Sequence, residues 1–446
     1  MIRKWIQRVR DKVTSRPGSA ESPAEARDDS ARGPTSRPVE THATILADAT
    51  QDTPFMARLA ERRLLTRIIE DYDEETIHIE LDVAVEGESP PAFVPWQPGD
   101  ALGVIPTNCP NEVAAVLAAL SRTGDEEVRL PEGKGRVSLR DALFRHSDIK
   151  NLTPELVGTI AAASTAPEEK ERAQDARAAD AARYRDEREL QDVLRDFPSA
   201  AGSLDPQRLI GLLGTIQPRL YSISSSPLTA PDRIALTVAV LRYELLGRKR
   251  TGLATTYLAD RVQVNDRIPV FLQPNLWFRL PSEDEGKSCV MIGAGCGISA
   301  FRGFLQELDE RARIKGLESA LEQSGGLPHV LFFGCRHEAR DFLYAEELQR
   351  WQAKGMLQLF NAFSRDQEHK IYVQHRMVEQ GAMLWERMEA DHYFYVCGDA
   401  QSMGGDVERA MREIIQTHGG RSPEEADAYL MELGNQGRFL KDVWTA

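Results

Sequence analysis

Hydrophobic and polar positions along the chain change period three times, and each change marks a different kind of element. Between residues 55 and 106 short apolar runs at 63–69, 77–83 and 99–105 read as strands, and the same pattern returns at 220–223, 234–240 and 268–272. Residues 108 to about 214 between them carry helical periodicity, so a strand-built domain is interrupted by a helical insertion. From residue 288 onward apolar strands at 290–292, 329–333, 357–360 and 392–396 alternate with helical patterns. That alternation predicts βαβ units and a mostly parallel sheet.

Before residue 43 the pattern is different again. Ile2, Trp5, Ile6, Val9 and Val13 fall on one face of a helix whose other positions include Arg3, Lys4, Arg8, Arg10 and Lys12. Such a helix suits an anionic membrane surface, a partner protein, or a frayed terminus. Residues 15–39 are rich in Pro, Ser, Ala and charge and read as a disordered linker. The stretch 167–190 is nearly all charge and alanine, which predicts a solvated helix face.

With 446 residues the chain has room for two or three domains. Its net charge of -14 argues against a general nucleic-acid binder, whose phosphate contacts need a basic face. The cysteines at 109, 289, 296, 335 and 397 are widely spaced with no Cys-x-x-Cys pair. The expectation is a reducing compartment with no disulfide framework and no metal site. No apolar run approaches the roughly 18 residues of a membrane span, and the N-terminus lacks a signal-peptide core. A cytoplasmic protein is expected.

Against that background one turn stands out chemically. Gly293, Gly295 and Gly297 lie between an apolar strand and a helical pattern, where free N–H groups at a helix start can meet a nucleotide phosphate. Arg219 and Tyr221, two apart on a strand, are expected on one face, where a cation and a ring can share one ligand. Ser222 is expected on the other. Gly252, Thr255 and Thr256 precede another helical pattern, which suits a phosphate or a plain N-cap. Ser364, Arg365, Lys370, Tyr372 and Gln374 follow a predicted strand end in the α/β region, the place where open sheets bind ligands. Two cations, a hydroxyl and a ring there fit an adenosine bearing a 2′-phosphate, so NADPH is favoured over NADH.

In order along the chain these segments, with 96–104, 332–336, 341–344, Cys397-Gly398-Asp399 and Asp442-Val443-Trp444, resemble the FAD/NADPH module of the diflavin reductases. Within that family they look most like the flavoprotein subunits of NADPH sulfite reductases. The resemblance runs from about Phe55 to Trp444. It implies an antiparallel FAD-binding barrel at 43–285, a helical connecting domain inserted at about 108–214, and a Rossmann-like, parallel-sheet NADP-binding domain at 286–446. It also implies that Arg219, Leu220, Tyr221 and Ser222 hold FAD, helped by Thr237, Val238, Ala239, Tyr243, Gly252, Leu253, Ala254 and Thr255. Gly295 and Cys296 of the turn would contact cofactor, and Ser364, Arg365, Lys370, Ile371, Tyr372, Val373, Gln374 and Asp406 would hold NADP. Ser222, Cys397 and Asp442 would surround the hydride-transfer site, with Trp444 stacked over the flavin and swinging aside for nicotinamide.

The turn departs from the family pattern Pro-Gly-Thr-Gly-Ile-Ala-Pro, with Ala294, Cys296, Ser299 and Ala300 in place of Pro, Thr, Ala and Pro. Diflavin reductases also carry a flavodoxin domain ahead of this module, where this sequence has only about 42 residues. Electrons are therefore expected to leave FAD for a separate protein, either a sulfite reductase haem subunit or a flavodoxin-like carrier. A general NADPH:flavodoxin or ferredoxin reductase is the alternative enzyme reading, and a non-catalytic docking subunit is the alternative outside enzymes.

Overall fold

The computed structural model describes residues 46–67, 74–84, 95–177, 181–282, 285–317 and 320–444. The amphipathic pattern at 2–13 and the linker at 15–39 lie outside the described residues.

The first strands are β1 (Phe55–Leu64), β2 (Glu75–Asp82) and β3 (Ala101–Val104). After β3 the chain enters the insertion, whose helices include Pro110–Ala119, Pro154–Ala163, Pro167–Arg177 and Leu190–Asp196. A small antiparallel hairpin, β4 (Glu127–Arg129) with β5 (Arg136–Ser138), sits among them and was not expected from helical periodicity. Three strand residues each are too few for a period of two to show. The charged stretch is helical as expected, over Pro167–Arg177 and Ala181–Asp186, and Tyr184 anchors it by donating its hydroxyl to Asp196 at 2.6 Å.

The chain returns through β6 (Arg219–Ser222), β7 (Arg233–Val240), the hairpin β8 (Arg242–Leu245) and β9 (Arg248–Thr251), and β10 (Arg267–Gln273). Six strands pair antiparallel in the order β6-β3-β10-β1-β2-β7. A bridge between Ile223 and Leu236 joins the two edges, and the N–H of Ser224 donates to the carbonyl of Ala235 at 2.8 Å. Closure makes this a barrel and removes the open edges. Its core contains Leu59, Ile79, Leu102, Leu236 and Ile268. The run at 63–69 mislocated the first strand, which β1 ends at Leu64. The alternation that pairs β1 with its neighbours begins earlier, at Phe55, with Ala57 and Leu59 facing inward.

The second half is a parallel sheet ordered β13-β12-β11-β14-β15, from β11 (Cys289–Ala294), β12 (His329–Cys335), β13 (Leu357–Phe363), β14 (Tyr393–Asp399) and β15 (Phe439–Trp444). Its inner strands are apolar almost throughout because helices cover both faces. One face packs Ile292, Phe332, Phe394 and Ile415, and the other Met291, Phe304, Leu331 and Tyr395. Among the described residues no helix is long and apolar enough to cross a membrane.

Candidate functional site

The turn after β11 is shaped first by packing. Gly297 lies so close to β14 that a Cβ there would fall 2.1 Å from the carbonyl oxygen of Cys397, and one on Gly293 would come within 2.9 Å of Phe301. Gly295 differs: its φ of +53° is left-handed, and no atom lies within 4 Å of where its Cβ would be. Two glycines therefore seat the turn on the neighbouring strand, and one leaves backbone bare towards open space. The helix then starts at Ile298.

That open space is a cavity of about 610 Å³, lined by Ala294, Gly295, Ser364, Tyr372, Val373, Gln374 and Asp406 among others. The Nε2 amide of Gln374 donates to Asp406 at 3.0 Å, which fixes both side chains. Arg365 and Lys370 lie outside the lining, exposed, and with no ion pair among the described residues. Ile371 is half-buried and also outside it. Sequence reasoning missed Thr66 and Thr76 from the barrel and Arg336 beside Ser364 at the end of the sheet, all in the lining. Arg336 pairs with Glu74, and its backbone N–H donates to Asp341 at 3.0 Å. A cation directly after a strand end was the available signal.

A second cavity, of about 920 Å³, opens on the barrel side and is lined by Leu220, Tyr221, Ser222, Thr237, Ser299, Asp442 and Trp444, with Leu276 and Trp277 at its rim. Ala239 and Cys296 line both cavities, so the two spaces abut at those residues.

Arg219 and Tyr221 lie two apart on β6, but only Tyr221 lines this cavity. Three consecutive residues, Leu220 to Ser222, line the cavity, while Arg219 turns its Nη1 to the carbonyls of Gln217 and Pro218 at 3.3 Å each. β6 ends at Ser222, and Ile223 then bridges Leu236. Val238 points into the barrel core, and Tyr243 and the segment from Gly252 to Thr255 lie outside the lining. Gly252 starts a helical turn in which Thr255 Oγ1 accepts the N–H of Leu241 at 3.2 Å.

The C-terminal strand brings distant residues together. β15 pairs with β14 in parallel so that Asp442 lies opposite Cys397 and Trp444 opposite Asp399. Asp442 then meets the barrel, where Ser222 Oγ donates to its Oδ2 at 3.0 Å. Burial raises the carboxyl of Asp442 above its usual range, and the Ser222 hydrogen bond pulls it partly back. Cys397 is fully buried behind it, lines neither cavity, and is held as a neutral thiol well above the usual range by that burial. Cys296 is likewise pushed up to about 11 by burial, so the junction of the cavities carries a neutral thiol at physiological pH.

Tyr221, the indole of Trp444 and the hydrogen-bonded carboxylate of Asp442 all line this cavity, a set that fits a flavin ring. The neighbouring cavity, with a bare glycine turn and Arg336 in its lining, fits a phosphorylated nucleotide. A closed antiparallel barrel abutting a parallel sheet, with two such cavities in contact, defines a flavin- and pyridine-nucleotide-binding oxidoreductase module. Residues 47–257 match a model described as an FAD binding domain, and residues 291–409 one described as an oxidoreductase NAD-binding domain. Among curated relatives, a sulfite reductase (NADPH) flavoprotein alpha-component of Photorhabdus laumondii is 39% identical over 396 residues, which is 89% of this chain and 61% of that protein. The Bacillus subtilis protein of the same name is 33% identical over 442 residues, 99% of this chain and 67% of its own length. The Vibrio cholerae one is 35% identical over 395 residues, 88% of this chain and 60% of its own length. The chain belongs to the sulfite reductase (NADPH) flavoprotein alpha-component family, and it spans about three-fifths of the length of most of these relatives.

Proposed function

We propose that this chain oxidises NADPH and passes the electrons through FAD to a separate acceptor protein in sulfite reduction. The observation that carries the reading is the contact between the two cavities at Ala239 and Cys296, since hydride transfer needs two flat rings brought face to face. The names of the relatives supply the direction, from NADPH towards sulfite.

In this reading Tyr221, Ser222, Thr237 and Trp444 hold the flavin ring, and Arg219, Tyr243 and the segment from Gly252 to Thr255 hold the rest of FAD beyond the cavity. Ser364, Tyr372, Gln374 and Asp406 hold NADPH, with Arg365 and Lys370 on its additional phosphate. FAD bound there supplies two-electron acceptance and release of electrons one at a time. The protein supplies position and field. Asp442 would present a carboxylate to positive charge developing on nicotinamide, and Ser222 holds its orientation. The neutral thiols of Cys296 and Cys397 add no competing charge. The acceptor is a separate electron-transfer protein, with the haem-bearing partner of sulfite reduction as the specific choice.

The test is to purify the chain, look for bound FAD, and follow anaerobic flavin bleaching by NADPH and by NADH. Tight flavin with NADPH-selective bleaching is expected. A chain that neither retains flavin nor bleaches with NADPH would sink the reading.

A further inference from the structure

The helix that follows the glycine turn, Ile298–Ile314, has a second face besides its apolar one. Ser299 Oγ donates to the carbonyl of Ser222 at 2.6 Å, and Arg302 Nη1 donates to the carbonyl of Ser224 at 2.7 Å. Gln306 Oε1 accepts the N–H of Ser226 at 3.0 Å, and the Ser226 hydroxyl is bonded to Glu307. Between them Gly303 lets the backbones close, since a Cβ there would lie 3.0 Å from the Ser225 carbonyl. Positions 299, 302, 303, 306 and 307 follow the three-and-four spacing of one helix face. The face follows the segment Ser222–Ser226 at and beyond the end of β6.

Ser299, Arg302, Glu307, Ser224 and Ser226 are all buried. A buried polar seam has low tolerance for slippage, because each displaced partner leaves a desolvated group unsatisfied. One end of the seam lies at the chemistry. Ser299 lines the larger cavity, and the residue whose carbonyl it holds, Ser222, is the one whose hydroxyl meets Asp442.

We propose that Ser299 is a positioning residue for the reaction: by holding the Ser222 carbonyl it keeps the Ser222 hydroxyl on Asp442 and fixes the flavin-bearing strand against the nucleotide turn. The inference rests on the proposed flavin reading for its catalytic meaning, but its geometric core does not. The plain alternative is a first-turn serine that merely satisfies a carbonyl. That role would affect stability and leave Asp442 alone.

Full-length wild type, Ser299→Ala and Ser299→Thr separate the two. In the ligand-free protein, carboxyl carbon NMR with labelled aspartate follows the titration of Asp442, assigned by its loss in Asp442→Asn. The titratable group facing Asp442 besides its solvent boundary is Cys397, which stays neutral across this range. Loss of Ser222 from its carboxylate should move the midpoint upward by about half a pH unit in Ser299→Ala, with return in Ser299→Thr. In the flavin-loaded protein, Ser299→Ala should slow bleaching by NADPH about tenfold, with FAD content and the NADPH KM within about twofold. Superimposable Asp442 titrations in wild type and Ser299→Ala would overturn the proposal, whatever the thermal stability does. If wild type takes up no FAD, or is not bleached by NADPH, the functional reading fails instead, and the ligand-free titration still decides on Ser299.

Discussion

Ser222 and Asp442 stand 220 residues apart in the chain and 3.0 Å apart in the fold, joining the barrel to the last strand of the nucleotide domain. Their pairing gives the acid side of the activity a definite sign. The carboxyl of Asp442 is raised by burial, so activity that needs its ionised form falls as pH drops through that raised value. Ser222→Ala removes the interaction that lowers it, so the acid limb of the kcat profile should move to higher pH.

Asp442→Asn should separate stability from rate. A carboxyl whose pKa is higher in the folded than in the unfolded state costs stability above that pKa, and the cost fades as pH falls through it. The amide should therefore be at least as stable as wild type at pH 7, with the advantage shrinking in acid. Bleaching by NADPH should slow by roughly 100-fold. Urea melts at two pH values and stopped-flow absorbance measure the two halves of this expectation.

The glycines of the turn should rank by mechanism. Gly297→Ala drives a Cβ into the Cys397 carbonyl and should cost about 3 kcal/mol. Gly295→Ala meets no atom and bears only the left-handed backbone, about 1 kcal/mol. Equal losses in denaturant melts would contradict this account of the turn.

In the proposed reading Arg365 and Lys370 hold the additional phosphate of NADPH. Replacing both by alanine should raise the NADPH KM by about 10-fold to 100-fold, from two lost charge-assisted contacts, and leave NADH kinetics nearly unchanged. Parallel steady-state assays with ferricyanide as acceptor read the difference directly.

Acid should loosen the nucleotide domain through two histidines. His329 Nδ1 accepts the N–H of Cys289 at 3.1 Å, and His392 Nδ1 accepts that of Ser288 at 3.0 Å, so each ring must be neutral. Burial lowers both to about 4, which for His329 is the largest cause along with nearby Arg387 and His392. A lowered folded pKa means the unfolded chain binds protons more readily below about pH 6.5. Stability should fall from there towards pH 4, by on the order of 3 kcal/mol for His329 alone. His329→Gln should flatten that slope in melts taken across the range.

The parallel sheet was legible because its inner strands are hydrophobic throughout, as in β12, where six of seven residues are buried. β15 was not, since Phe439–Trp444 alternates short and half-polar and becomes a strand only against β14. Tyr221, Ser222, Asp442 and Trp444 could be picked out by motif, and they do share one cavity. The place of Thr76, and the grip of Ser299 on Ser222, arise from apposition of two domains, which no local pattern encodes. Arg219 shows another limit, since a shared strand did not tell that its guanidinium turns back to the carbonyls of Gln217 and Pro218.

The insertion has a consequence for how this molecule can change over time. β3 and β6 are hydrogen-bonded neighbours, with Val104 opposite Arg219, so everything between Ile105 and Pro218 is, to the barrel, an oversized hairpin turn. It brings its own core, built on residues such as Leu143, Ile160, Val193 and Phe197. Because lengthening a closed loop costs little, helices can be gained, lost or exchanged there as cargo on a fixed clasp, while the strand that carries Tyr221 and Ser222 keeps its register.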